Sequence, residues 1–228
     1  IFIVPAAIAL HLDSTLLIVL VWVIGGVVSL FGALCMAELG ALMPQAGGQF
    51  VYLREAYGQL AGFLYGWTLF IVIQTAAIAA VAVGFATYLG YFVHFTDGEI
   101  KLVAIASIIV LTAVNSFGTK LGATVQNVFT FLKVGSLAAI VVTSFLMSGG
   151  SVANFQSINP TVHYSDLASA FAIAMVAVLW SYDGWIEITY VAGEVKRPER
   201  NIHRSLLIST IVVIGFYILV NLAFIYVL

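Results

Sequence analysis

Trp180-Ser181-Tyr182-Asp183-Gly184-Trp185 interrupts an apolar segment that runs over residues 167–193. The part before the interruption, 167–180, makes about 21 Å of helix at about 1.5 Å per residue, short of a hydrocarbon core of about 30 Å. The segment therefore has to continue past the interruption, which sets a glycine and an aspartate at bilayer depth. Interrupted backbone is tolerated there only where it is buried in protein or lines a cavity. A helix broken in such a place has chemical use as a binding site. The first half is expected to end at Trp180 with unpaired carbonyls, a partial negative charge suited to an ammonium group. The second half is expected to begin near Asp183 with unpaired N–H groups suited to an anion.

The rest of the chain supports a membrane setting. Hydrophobic residues make up 63% and charged residues 8%, with a mean hydropathy of +1.14. Soluble globular, disordered and nucleic-acid-binding classes fit poorly, so no nucleic-acid partner is expected. The fold class is all-α, a polytopic membrane protein whose surroundings are the lipid bilayer. Apolar spans are expected at 15–37, 61–93, 102–117, 124–147, 167–193 and 206–228, after a stub at 1–10 too short to span. A chain that starts at Ile1 and ends inside an apolar run reads as an internal piece of a longer transporter. The stub has no basic region of the kind that opens a signal peptide.

Basic residues set the orientation. Arg54, Lys120, and then Lys196, Arg197, Arg200 and Arg204 fall in even-numbered connections, against Lys101 alone in the odd ones. The loops with Arg54, Lys120 and Lys196 to Arg204 are therefore expected on the cytoplasmic side of a multi-pass protein of the cell membrane. A net charge of −2 says little about partners. Cys35 is the single cysteine, so no intrachain disulfide is expected, and the scattered His11, His94, His163 and His203 lack ligand spacing. No cofactor is called for.

In the span 15–37, Trp22, Gly25, Gly26, Ser29 and Gly32 read as a seam for close helix packing. Residues 44–58 are the most patterned loop. Its glycines allow a tight turn, and Phe50, Leu53 and Tyr57 give 49–57 the period of an amphipathic helix at the inner interface. Gln74 and Thr75, mid-span, suit interhelical hydrogen bonds or a pathway lining, and the length of 61–93 suits a tilted single helix. Residues 148–165, rich in Ser, Asn and Gly, read as a mobile outer loop. Lys133 lies near the centre of its span, where an unpaired cation costs on the order of 2.5–3.5 kcal/mol, so it should face the bundle interior with partners. Either a structural clamp or a part in a transport cycle accounts for it.

The runs Ala37-Glu38-Leu39-Gly40, Pro44 with Gly47-Gly48, and Tyr52-Leu53-Arg54-Glu55-Ala56-Tyr57-Gly58 resemble the first inner loop of the amino acid–polyamine–organocation (APC) superfamily of permeases. Leu132-Lys133-Val134-Gly135 is similar to that superfamily's fifth helix. Lys196-Arg197-Pro198-Glu199-Arg200-Asn201 after Glu194 is similar to the loop following the sixth, and Tyr182-Asp183-Gly184-Trp185 resembles bacterial members of the L-amino-acid exchanger branch. Phe50 stands where Tyr is usual and His203 where Pro is common.

The resemblance implies two inverted five-helix repeats with discontinuous helices 1 and 6. The chain 1–228 would run from the second half of helix 1 through helix 7 of an amino acid permease transmembrane domain. It implies a secondary active transporter, an exchanger or proton-coupled carrier, that moves an amino acid by alternating access. The substrate carboxylate would meet backbone N–H groups at Ile1, Phe2 and Ile3. The ammonium would meet carbonyls at Trp180 and Ser181, with Tyr182, Asp183, Gly184 and Trp185 completing the break. Trp180 matches the aromatic that closes over substrate, and Lys133 stands where, in members without sodium coupling, an ammonium replaces a bound cation. Asp183 reads either as the N-cap of the second half-helix or as a group for a cationic substrate or a coupling proton, and Glu187 as a first-turn dipole partner or a helix contact. The rival reading is a non-transporting sensor or assembly subunit on the same fold. An enzyme is the weakest reading, for no catalytic constellation is present. The substrate side chain and any partner subunit are not legible here.

Overall fold

The computed structural model describes residues 3–12, 14–146, 149–156 and 164–227. Among these, every regular element is helical: α1 (Val4–Ala9), α2 (Thr15–Leu42), α3 (Gln49–Tyr57), α4 (Gln59–Thr68), α5 (Gln74–Leu89), α6 (Asp97–Ser116), α7 (Thr119–Leu146), α8 (Tyr164–Tyr182) and α9 (Pro198–Val227). A π turn, Leu69–Ile73, joins α4 to α5, and short 3-10 helices occupy Val152–Gln156, Trp185–Thr189 and Ala192–Glu194. Five stretches are long and apolar enough to cross a membrane: Thr15–Leu42, Gln59–Leu89, Lys120–Leu146, Leu167–Thr189 and Pro198–Val227. The expected span 102–117 lies in α6 and is not among them. Its apolar stretch between Lys101 and Asn115 covers only about 20 Å at about 1.5 Å per residue.

Two compact units divide the chain, Ile1–Tyr52 with Val134–Leu228, and Leu53–Lys133. The first is organised around α2, which packs along both α9 and α8. The small-residue seam explains how. A Cβ added at Gly25 would collide with the Val178 side chain of α8, and one at Gly26 would come 3.0 Å from Ile214 of α9. A Cβ at Gly32 would come 2.8 Å from the Trp185 ring. Between lipid-immersed helices, where there is no hydrophobic drive to associate, such close contact supplies the dispersion energy. The resulting core has two parts. Val4, Ile8, Leu12, Val21, Trp22, Ala174, Val178 and Tyr182 form one cluster; Ala37, Ala192, Ile202 and Leu206, with Trp185 against them, form the other.

The patterned loop is helical over 49–57, as expected. Val51 and Tyr52 are buried, whereas Tyr57 is 77% exposed. The reason is tertiary: the loop docks on the segment after the break in α8. The Gly47 N–H donates to the Tyr190 carbonyl at 3.0 Å, Gly48 adopts φ +48 directly against Thr189 and Tyr190, and the Tyr52 hydroxyl lies beside Gly40. Burial pushes the Tyr52 phenol above its ordinary range, with the Thr189 hydroxyl offsetting part of the rise.

The stretch 149–156 is also tied to the rest of the chain. The Ser151 N–H and Asn154 Nδ2 both donate to the Tyr226 carbonyl, at 2.9 and 3.1 Å, and Thr15 Oγ1 donates to the Asn154 carbonyl at 3.4 Å. This corrects the expectation of a mobile loop for residues 149–156; His163 lies outside the described residues.

In the second unit, α5 and α6 pack through Ala82, Ala86 and Ala104. The stretch 59–89 is a single helical path, as its length implied, with the π turn inside it. Thr75 Oγ1 donates back to the Ile71 carbonyl at 2.6 Å rather than across to another helix. At α6 the N-terminus is closed by a capping box between Thr96 and Glu99, and the bonds from Thr96 hold the Glu99 carboxyl below the usual carboxylate range.

Candidate functional site: the break after α8

Why α8 stops is local. The Asp183 N–H folds back to the Trp180 carbonyl at 3.3 Å in a tight i to i+3 turn, and Gly184 then takes φ +107, ψ −11, a left-handed conformation that only glycine adopts without strain. A five-residue 3-10 helix, Trp185–Thr189, restarts the path. The helix runs to Tyr182, two residues beyond the expected end at Trp180, and the break lies at Asp183–Gly184. It also falls between the two parts of the core, with Tyr182 anchored in one and Trp185 packed on the other.

Tyr182 is the pivot of the first side. Its hydroxyl donates to the Trp22 carbonyl at 3.1 Å. Its ring meets Trp22 edge-on at 5.9 Å and Tyr217 at 5.1 Å, while Trp22 and Tyr217 meet at 5.5 Å, so three rings from α2, α8 and α9 close on one another. Tyr182 is 4% exposed. Its neighbour Trp180 is 55% exposed and points away from that core. The sequence of exposed Trp180, buried Tyr182 and exposed Asp183 follows from a helix end whose one face is taken by α2.

Several expectations for individual residues change. The carbonyls of Trp180 and Ser181 are not unpartnered: the first accepts from Asp183 N–H and the second from the Tyr217 hydroxyl at 3.0 Å. Each carbonyl has two lone pairs, so either retains room for a second donor. Asp183 is not the N-cap; that position is Gly184, and no side-chain cap is made. Glu187 does sit in the first turn of the restarted helix, as a dipole partner would. Trp185 is half-buried, filling the space that Gly32 leaves.

Helix α1 contributes to the same cluster through Val4 and Ile8, and packs on α8. Ile3 precedes it as an uncapped N-terminal residue; Ile1 and Phe2 lie outside the described residues. Lys133 stands midway along the span Lys120–Leu146 and its side chain is exposed. Among the described residues no group of three His, Cys, Asp or Glu side chains is arranged to hold a metal ion.

Tyr217 was missed by sequence reasoning. A usable signal existed: a tyrosine in the middle of an apolar span must find a hydrogen-bond partner for its hydroxyl, because the hydrocarbon offers none.

Comparison with known proteins agrees with this architecture. A family model described as "Amino acid permease" matches residues 1–228. The b(0,+)-type amino acid transporter 1 of Mus musculus is 33% identical over 231 residues, 98% of this chain and 47% of that protein. The serine/threonine exchanger SteT of Bacillus subtilis (strain 168) is 32% identical over 228 residues, 100% of this chain and 51% of that protein. The Asc-type amino acid transporter 1 of Mus musculus is 29% identical, over 98% of this chain and 43% of that protein. The chain thus spans about half the length of the curated relatives it matches. With a match over its whole length, the chain belongs to the amino acid permease family of the APC superfamily.

Proposed function

We propose that this chain is part of a secondary active amino acid transporter, an exchanger or proton-coupled carrier working by alternating access. In it, residues 1–228 run from the second half of helix 1 through helix 7. The observation that carries the reading is the break at Asp183–Gly184, a left-handed glycine inside an apolar span, with its two sides seated in different parts of the core. A helix broken mid-membrane presents carbonyls on one side and N–H groups on the other, which matches an α-amino acid's ammonium and carboxylate. The names of the relatives, amino acid transporters and a serine/threonine exchanger, support the same substrate class.

On this reading the ammonium binds at the carbonyl end of α8, at Trp180 and Ser181, and the carboxylate binds at the N–H groups preceding α1, at Ile1, Phe2 and Ile3. Exposed Trp180 closes over the substrate, and Gly184 supplies the hinge. Tyr182 and Trp185 act by packing, holding the two sides of the break. Lys133, at mid-membrane, takes the place of a coupling cation. Asp183, exposed at the break, is the group available to a cationic substrate or a coupling proton. The loops with Arg54, Lys120 and Lys196 to Arg204 face the cytoplasm.

The test is uptake of radiolabelled amino acids into proteoliposomes holding the complete protein that carries this chain, with and without internal amino acid and with and without a proton gradient. Uptake requiring internal substrate establishes exchange; uptake driven by the gradient alone establishes symport and points to Asp183. No uptake of any amino acid by folded protein refutes the carrier reading and favours a sensor.

A further inference from the structure

We infer that the exposed face at the inner end of α9 is a site for an anionic phospholipid, its phosphate seated by Arg200 and Arg204 and its acyl chain laid along Ile208 and Ile211. From the proposed function the inference takes only the cytoplasmic placement of Lys196 to Arg204.

Helix period and length set the placement. Arg200, Arg204, Ile208 and Ile211 follow one another at steps of four, four and three residues, so they share one stripe of α9. Both arginines are exposed, as are Ile208 and Ile211. The opposite stripe, Ile202, Leu206 and Thr210, is buried, and Glu199 falls on that side, one turn before Ile202 and two before Leu206. The 30 residues of α9 extend about 45 Å, the thickness of a bilayer with its headgroup layers rather than of the hydrocarbon alone. Its first two turns, through Arg204, therefore stand at headgroup level, and Ile208 enters the hydrocarbon.

The cations are unmet within the chain. Among the described residues no ion pair joins Lys196, Arg197, Arg200 or Arg204 to a carboxylate. Their position also costs stability: cations are repelled by the partial positive charge of a helix N-terminus, and like charges four residues apart, as Arg200 and Arg204 are, repel each other. Orientation in the membrane requires basic residues in this loop, but it does not require them on the stripe that continues into exposed isoleucines. A phosphate headgroup meets two guanidinium forks with charge-assisted hydrogen bonds, and the apolar stripe below them accommodates the chain that the headgroup carries. The anionic lipids of the cytoplasmic leaflet are attracted by about fivefold for each such cation.

The experiment places a photo-crosslinker on the stripe, Ile208→p-benzoylphenylalanine, in the complete protein. The protein is held in vesicles of equal parts phosphatidylglycerol and phosphatidylcholine with identical acyl chains, and the captured adduct is identified by mass spectrometry. Phosphatidylglycerol should be captured about five- to twentyfold over phosphatidylcholine. Adding Arg200→Gln and Arg204→Gln should reduce that preference at least about fivefold, whereas Arg200→Lys with Arg204→Lys should retain most of it. Equal capture of the two lipids, or capture of another segment of the protein itself, overturns the site, and both outcomes are read without the arginine variants if those lower folded yield. Loss of the preference on adding excess inorganic phosphate at constant ionic strength overturns the lipid in favour of a free phosphate group. Capture does not depend on transport: a protein that carries amino acids without the preference leaves the carrier reading intact, and a preference in a protein that carries none leaves the lipid site intact.

Discussion

A methyl group added at Gly25 tests whether α2 and α8 pack as closely as the structure requires. In Gly25→Ala the new Cβ lands on Cγ1 of Val178, with Val178 Cβ at 3.5 Å and the Tyr182 ring at 3.6 Å. Val178 is fully buried, so it has no open side to turn to. Overpacking of this kind costs about 1–3 kcal/mol, and the better helix propensity of alanine returns about 1 kcal/mol, leaving a net loss of roughly 0–2 kcal/mol. Val178→Ala alone opens a cavity and costs about 1–3 kcal/mol. In the double variant the collision is gone, and the methyl introduced by Gly25→Ala occupies part of the space vacated at 178. The pair should therefore be more stable than the sum of its single effects by about 1–3 kcal/mol. Reversible unfolding in mixed micelles, followed by tryptophan fluorescence, measures all four corners of the cycle. Additivity within about 0.5 kcal/mol would refute the packing argument, because residues that do not touch add to that accuracy.

Three further outcomes are expected. Lys133→Ala in the complete protein should lower the transport rate more than it lowers folded yield; equal losses return Lys133 to a structural part. Glu99 has its folded-state pKa depressed by its bonds from Thr96, so its contribution is present above the ordinary glutamate range and is lost as pH falls through the depressed value. The protection of amides in the first turn of α6, relative to their intrinsic exchange, should then fall as pH drops below the ordinary glutamate range, and Thr96→Ala, which keeps the backbone N–H donor but removes the hydroxyl, should weaken that pH dependence without abolishing it. Arg197 holds φ +50 just before Pro198 opens α9, a left-handed conformation that costs a side-chain-bearing residue about 1–2 kcal/mol. Arg197→Gly should raise the thermal midpoint, and a fall would show that the arginine side chain contributes more than its backbone costs.

What residues 1–228 determined without their partners is the class of the molecule. Long apolar runs with few charges have to satisfy backbone polar groups internally, so helices follow, and a Gly beside an Asp in such a run forces the path to break near 183. Gly25, Gly26 and Gly32 were legible as a packing seam because small residues at helical spacing have little other use in a membrane. The tertiary structure decided what depends on neighbours far along the chain. That Val51 and Tyr52 of α3 are buried depends on Thr189 and Tyr190, more than 130 positions away. The loop 149–156 is ordered because Tyr226 offers it a carbonyl. The Ser181 carbonyl, which local reasoning left open, is claimed by Tyr217 of α9. Hydropathy and helix-breaking are properties of a segment and can be read there, whereas a hydrogen bond or a packed ring belongs to a pair, and only the fold chooses the second member.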